Sequence, residues 1–183
     1  MKSLSLSEPH AIVMVGIPGS GKSFFAEKFA DTFQIPYIEA ALYRHFAADS
    51  EAAAGLVTHA IKEFAKTKQS LVLEIDTDAR NKRTDLAKQL KSLGYKTLFV
   101  WVQTDETTAA QRSKKMYNMS KDDHSSRVRQ FSPPHETENA LVVSGKHTHA
   151  TQVRMVLTRL TGPRIEMMAK KPVPERTSNI VLR

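Results

Sequence analysis

The sequence predicts an α/β fold in which a mostly parallel five-stranded sheet is covered by helices on both faces, and three observations predict it. Short apolar runs such as "AIVMV" (11–15) and "KTLFVWVQ" (96–103) are rich in β-branched and aromatic residues, as expected of strands buried on both faces. Segments with apolar residues at helical spacing separate these runs, the order expected of parallel strands joined by crossover helices. A glycine-rich turn, "GIPGSGKS" (16–23), carries the first run straight into the first helical segment.

The elements follow in chain order. After the turn, Phe25, Phe29 and Phe33 recur every four residues beside Ala26 and Ala30, giving one apolar helix stripe. "IPYIE" (35–39) reads as a second strand, with Pro36 marking its start or a sheet edge. Ser50 is placed to cap a helix whose apolar positions are Leu56, Val57, Ala60, Ile61 and Phe64, although Gly55 weakens it. "SLVLEID" (70–76) is the third strand, and Leu86, Leu90 and Leu93 mark a helix that Gly94 ends in a left-handed turn. The fourth strand spans 96–103 and the fifth 140–145, before an amphipathic helix carrying Val153, Val156, Leu157 and Leu160.

Between the last two strands, residues 105–135 concentrate Arg112, Lys114, Lys115, Lys121, Arg127 and Arg129. From residue 163 onward, Pro163, Pro172 and Pro174 forbid a long helix, so residues 163–183 are expected to form a basic, mobile tail behind a domain spanning 1–162. With 27 Lys and Arg against 19 Asp and Glu, the net charge of +8 favours anionic partners. The chain has no cysteine, which excludes disulfides and thiolate metal sites. No apolar run approaches the length of about 18 residues that a membrane helix needs, and a soluble, cytoplasmic location with no membrane partner is expected.

The chemistry starts in the glycine turn, which matches G-x-x-x-x-G-K-[S/T] at Gly16, Gly21, Lys22 and Ser23. Glycines let backbone N–H groups converge on phosphate oxygens, and a helix beginning at Lys22 adds its positive dipole end. The expected cradle is Gly16, Pro18, Gly19, Ser20, Gly21, Lys22, Ser23 and Phe24. Lys22 would reach the β and γ phosphates of ATP, and the Ser23 hydroxyl would ligate Mg²⁺. A second metal-side acid is needed at the end of a neighbouring strand. Asp76 closes "LVLEID" at the carboxyl edge, and Glu74 lies two residues before it on the same side; Asp76 is the better placed. Its bland alternative is a turn or helix cap. His147 and His149 alternate, but no third ligand is in register, and they read better as polar residues at the surface after a strand than as metal ligands.

"GIPGSGKS", "IDTDARNKRTDLAKQLKSLGY" and "VWVQTDETTAAQRSKKM" together resemble the successive motifs of the polynucleotide-kinase-like P-loop kinases, which are related to zeta-toxin-type and adenylate-kinase-type enzymes. The similarity covers about residues 11–145. It implies a three-layer P-loop NTPase fold with a helical lid over 105–135, ATP and Mg²⁺ as the bound groups, and transfer of the γ-phosphoryl to a hydroxyl acceptor. It also implies that Arg112 belongs to the lid and stabilises charge on the transferring group, with Lys115 as its substitute, and that Arg83 serves the substrate side. Phe131, Pro133, Pro134 and Glu138 resemble the segment that returns from the lid to the fifth strand.

On the acceptor side the chain departs from that pattern. Kinases of this family that act on 5′-hydroxyl ends carry D-x-x-R after the second strand, whereas here Ala41 stands three residues before Arg44. Glu39 is the nearest acid: either it accepts the proton of the attacking hydroxyl, or it is an ordinary strand-end charge. Arg44 either holds a substrate phosphate or is a surface cation. The basic lid and tail tilt the acceptor towards a nucleic-acid 5′ end over a nucleotide or small molecule. The alternative from another class is a nucleotide-binding regulatory module with weak or no transfer activity, which the missing D-x-x-R acid favours.

Overall fold

The computed structural model describes residue 4 and residues 6–162. The tail expected over 163–183 lies outside the described residues. In order, the elements are β1 (His10–Val15), α1 (Lys22–Phe33), β2 (Tyr37–Glu39), α2 (Ala40–Arg44), α3 (Ser50–Lys66), β3 (Leu71–Glu74), α4 (Arg80–Ser92), β4 (Lys96–Gln103), α5 (Glu106–Tyr117), α6 (Lys121–Gln130), β5 (Ala140–Ser144) and α7 (His149–Thr161).

The five strands form one sheet in the order β2-β3-β1-β4-β5. Every adjacent pair is parallel. All strands therefore end at one edge, and the glycine turn leaves from the central strand of that edge. Alternation along β1 divides the interior between two faces. Ile12 and Met14 point towards α1 and α7, where Phe25, Phe29, Phe33 and Val156 are buried with them. Ala11, Val13 and Val15 point to the other face, against Val57 and Ile61 of α3 and Leu86 and Leu90 of α4. Burial on both faces explains why these strands read as continuous apolar runs.

Several local expectations shift. Asp49, not Ser50, caps α3, its side chain accepting from the Ala52 N–H, and Ser50 is the first helical residue. The third strand stops at Glu74 instead of 76, and the second begins at Tyr37. Pro36 still serves the sheet, its carbonyl accepting from the Val72 N–H at 2.8 Å. Gly94 adopts the left-handed conformation expected after α4, at φ +87°. The basic stretch 105–135 holds α5 and α6, capped by Asp105 and Ser120. No helix among the described residues is long and apolar enough to cross a membrane.

Candidate functional site

The glycine turn is built for close approach. Gly19 has φ +78°, and a Cβ there would run into the Ala109 carbonyl and the Ser113 hydroxyl of α5. Gly21, at φ +101°, precedes the first residue of α1. From α6, His124, almost fully buried, brings Nε2 to 3.1 Å from the Pro18 carbonyl oxygen. The expected lid is thus packed on the loop through both of its helices. The Ser20 side chain is buried, and the backbone carbonyl of Ser20 accepts from Thr104 Oγ1 at 3.0 Å.

Lys22 curls back over this loop and donates from Nζ to the Ile17 carbonyl at 3.3 Å. Burial pulls its ammonium below the ordinary lysine range; Glu74 and Asp78 oppose that pull and Arg127 of α6 adds to it. One residue on, the Ser23 hydroxyl donates to Glu74 Oε1 at 2.8 Å. The other oxygen of Glu74, Oε2, accepts from the Tyr37 hydroxyl at 2.7 Å. Burial first, then the charge and hydrogen bond of Glu74, push the Tyr37 phenol far above its usual range, so it stays a donor. Glu39 stands opposite Glu74 in the β2–β3 register. Burial, then the carboxylates of Glu74 and Glu27, raise the Glu39 carboxyl above its ordinary value.

Asp76, favoured for the metal side, lies beyond the strand, where it is exposed and pairs with Lys82. Burial pushes its carboxyl up. The hydrogen bonds from Lys82 and the Asp78 N–H, with the charges of Lys82 and Arg44, outweigh this and hold it low. The acid against Ser23 is therefore Glu74, because β3 ends there and the chain has left the sheet before Asp76. Arg44 is exposed on α2, with its charge felt at Asp76.

Arg83, expected on the substrate side, is turned into the interior. Its side chain is fully buried, donating from Nε to Glu138 at 2.8 Å and from Nη1 to the Thr77 and Ser132 carbonyls, both at 2.8 Å. Its Nη2 reaches the Pro133 carbonyl and Glu138 Oε1. A guanidinium surrounded this way has no donor to spare. It ties the loop after β3 to the segment returning from α6.

Beside the loop opens a cavity of about 390 Å³, walled by Lys22, Ser23 and exposed Phe24 on one side. Arg112, Met116 and Tyr117 of α5 form the second wall, and Gly145, His147 and His149 the third. His149 Nε2 is buried with no partner among the described residues, and the ring sits against Phe24 and Phe25. Burial and the Lys28 ammonium keep this imidazole below its ordinary pKa. Sequence reasoning gave Tyr37 no role, and read Arg127 only as part of a basic stretch and His149 only as a surface residue. What each one faces, Glu74, Lys22 and the Phe24–Phe25 pair, lies far from it in the chain.

The pattern Gly16 to Ser23, wrapped on the central strand's exit with an acid on the next strand, is a phosphate-binding loop. The AAA domain family matches residues 12–132. The chain belongs to the AAA domain family. No curated protein matches this member of the AAA domain family significantly. Solved structures share its fold, which is that of P-loop kinases. A gluconokinase from Sinorhizobium meliloti 1021 is 21% identical with a TM-score of 0.61, over 83% of this chain and 91% of that one. A sugar kinase from Janibacter sp. HTCC2649 gives 18% and 0.62, over 84% and 94%. The Mycobacterium tuberculosis APS kinase CysC in complex with AMPPNP and APS gives 15% and 0.63, over 84% and 98%.

Proposed function

We propose that the protein is an ATP-dependent phosphotransferase that moves the γ-phosphoryl group to a hydroxyl acceptor. The observation carrying this reading is the Ser23–Glu74 hydrogen bond beside a lysine folded into the glycine loop. Ser23 and Glu74 supply two hard oxygens, the number Mg²⁺ takes from protein when phosphates and water complete its shell. Among the described residues no larger cluster of His, Asp and Glu stands ready for a metal. Bound there, Mg²⁺ would neutralise charge on the β and γ phosphates.

The loop N–H groups and Lys22 hold the phosphates, and Glu74 takes the role for which Asp76 was expected. The nucleobase end lies in the cavity walled by Met116, Phe24 and His149. Arg112 and Arg127 face the transferring group from α5 and α6, where guanidinium charge counts most as negative charge spreads over the equatorial oxygens. Glu39, its carboxyl raised by burial and by the Glu74 and Glu27 carboxylates, is a stronger proton acceptor when ionised than an ordinary carboxylate. The acceptor oxygen attacks the γ-phosphorus, the bond from that phosphorus to the bridging oxygen breaks, ADP departs, and Glu39 takes the hydroxyl proton. Asp76, Lys82 and Arg44 line the acceptor side.

The basic stretch 105–135 tilts the acceptor towards a nucleic-acid 5′ end over a nucleotide or small molecule, and the fold neighbours add sugars and adenylyl sulfate to the compounds worth assaying. The test is transfer of labelled γ-phosphate from Mg·ATP to 5′-hydroxyl DNA and RNA, nucleosides, nucleotides, adenylyl sulfate and sugars, with Lys22→Ala as control. Label on one class that vanishes in the control supports the reading. ATP binding without label on any acceptor supports the regulatory nucleotide-binding module.

A further inference from the structure

A second groove, of about 650 Å³, lies between α4 and the strand that follows it. Its floor is Tyr95, just before β4, with Thr97 and Phe99 in the first half of that strand, towards the end opposite to the phosphate loop. One wall is the α4 face carrying Arg80, Lys88 and Lys91, and the other is the segment 137–139.

The charge of this groove is lopsided. Its acid, Glu138, is occupied by the buried Arg83 guanidinium and approached by Arg80 at 3.9 Å. Lys88 and Lys96 meet only exposed carboxylates, of Asp85 and Glu8. Such surface pairs contribute little and exchange readily for another anion. Lys91 has no carboxylate within ion-pair distance among the described residues. Tyr95 is 4% exposed, and its hydroxyl is buried with no partner among the described residues. Burial pushes that phenol up to about 12, so it remains a donor at neutral pH.

The spacing of the cations selects the shape of the anion. A lone phosphate needs donors converging on one point. Positions 80, 84, 88 and 91 instead share one helix face and run along it for about 16 Å at 1.5 Å per residue. That is a track for an extended polyanion. Between the cations, Ala87 and the aliphatic lysine stems give an apolar lining that suits sugars and bases.

We propose that this groove binds single-stranded nucleic acid, with Arg80, Lys88 and Lys91 on successive phosphates. The proposal is independent of phosphoryl transfer, since it needs neither ATP nor the glycine loop. It is tested by fluorescence anisotropy of a labelled 20-mer of oligothymidylate with the full chain, titrated over a range of salt concentrations. Lys88→Ala/Lys91→Ala, at exposed positions, should keep the wild-type melting temperature and weaken binding at least tenfold. Losing two phosphate contacts should also make the slope of log K against log salt shallower by roughly 1.4. Lys62→Ala/Lys66→Ala on α3 should bind as wild type, and Lys22→Ala should bind as wild type even where transfer is abolished. The proposal is overturned by absence of binding, by equal binding in the α4 variant, or by equal loss in the α3 variant. Displacement of the strand by tripolyphosphate at the same phosphate concentration would also overturn it, by showing a site for any polyphosphate.

Discussion

The Ser23 hydroxyl and the Glu74 carboxylate meet at 2.8 Å across a separation of 51 residues, joining the start of α1 to the end of β3. The carboxylate is also held by Tyr37, so its two oxygens are fixed by two different elements. Such second contacts set the orientation of a metal-side acid before any metal arrives.

Glu74→Gln is therefore expected to reduce transfer by about 100-fold or more, comparable to the loss of a transition-state electrostatic contact. Asp76→Asn should cost far less, because Asp76 pairs at the surface with Lys82. Steady-state kinetics of both variants as a function of Mg²⁺ concentration checks the order, and a greater loss in Asp76→Asn would return the metal-side role to Asp76.

Glu39 has a pKa raised in the folded state, with two consequences of opposite sign. As a base it works only when ionised, so the acid limb of the kcat profile should lie at higher pH than for an ordinary carboxylate, and Glu39→Gln should abolish that limb. For stability, the folded protein binds more protons than the unfolded chain between the two pKa values. Stability then falls as pH rises through that window, and the native state stays less stable above it. Glu39→Gln should consequently raise the melting temperature at pH 7 while lowering activity, whereas a fall in both would remove Glu39 from the mechanism.

Arg83 and Glu138 form a buried pair, and removing one partner leaves the other charged and unsolvated. Arg83→Met is expected to destabilise by about 3–5 kcal/mol, the range for breaking a buried pair from one side. Denaturant midpoints with an unchanged slope would show this as a loss of stability rather than of compactness. Nucleotide affinity of the fraction still folded should change little, in contrast to Lys22→Ala.

Gly19→Ala tests the seating of α5. The residue would need a left-handed backbone and would push its Cβ into the Ala109 carbonyl. A cost of about 2–3 kcal/mol is expected from strain and displacement together. Gly55→Ala, in α3 with no heavy atom within 4 Å of the added Cβ, should instead stabilise by about 1 kcal/mol through helix propensity. Thermal melts of the two variants should move in opposite directions.

How far the sequence could be read depended on the range of the interaction. The inner strands β1, β3 and β4 announce themselves as apolar runs, and the edge strands β2 and β5 were legible from their place between helical segments. The phosphate loop was legible too, because its glycines, lysine and serine are consecutive. Glu74 and Asp76 share one side of a strand by periodicity, and nothing local says where the strand stops. Tyr37 is 37 residues from Glu74, and Arg83 is 55 from Glu138; such partners meet only after the chain has folded. At Arg83, nothing in the motif announces the buried tie between loops that its side chain makes.

That tie bears on engineering. Arg83 grips the Thr77 carbonyl on one side and the Ser132 and Pro133 carbonyls on the other, so the exit of β3 and the return from α6 move as one piece. A chimera that borrows the loop after β3 from a protein of the same fold must import the arginine, its glutamate and the returning segment together, or the graft will arrive without its anchor.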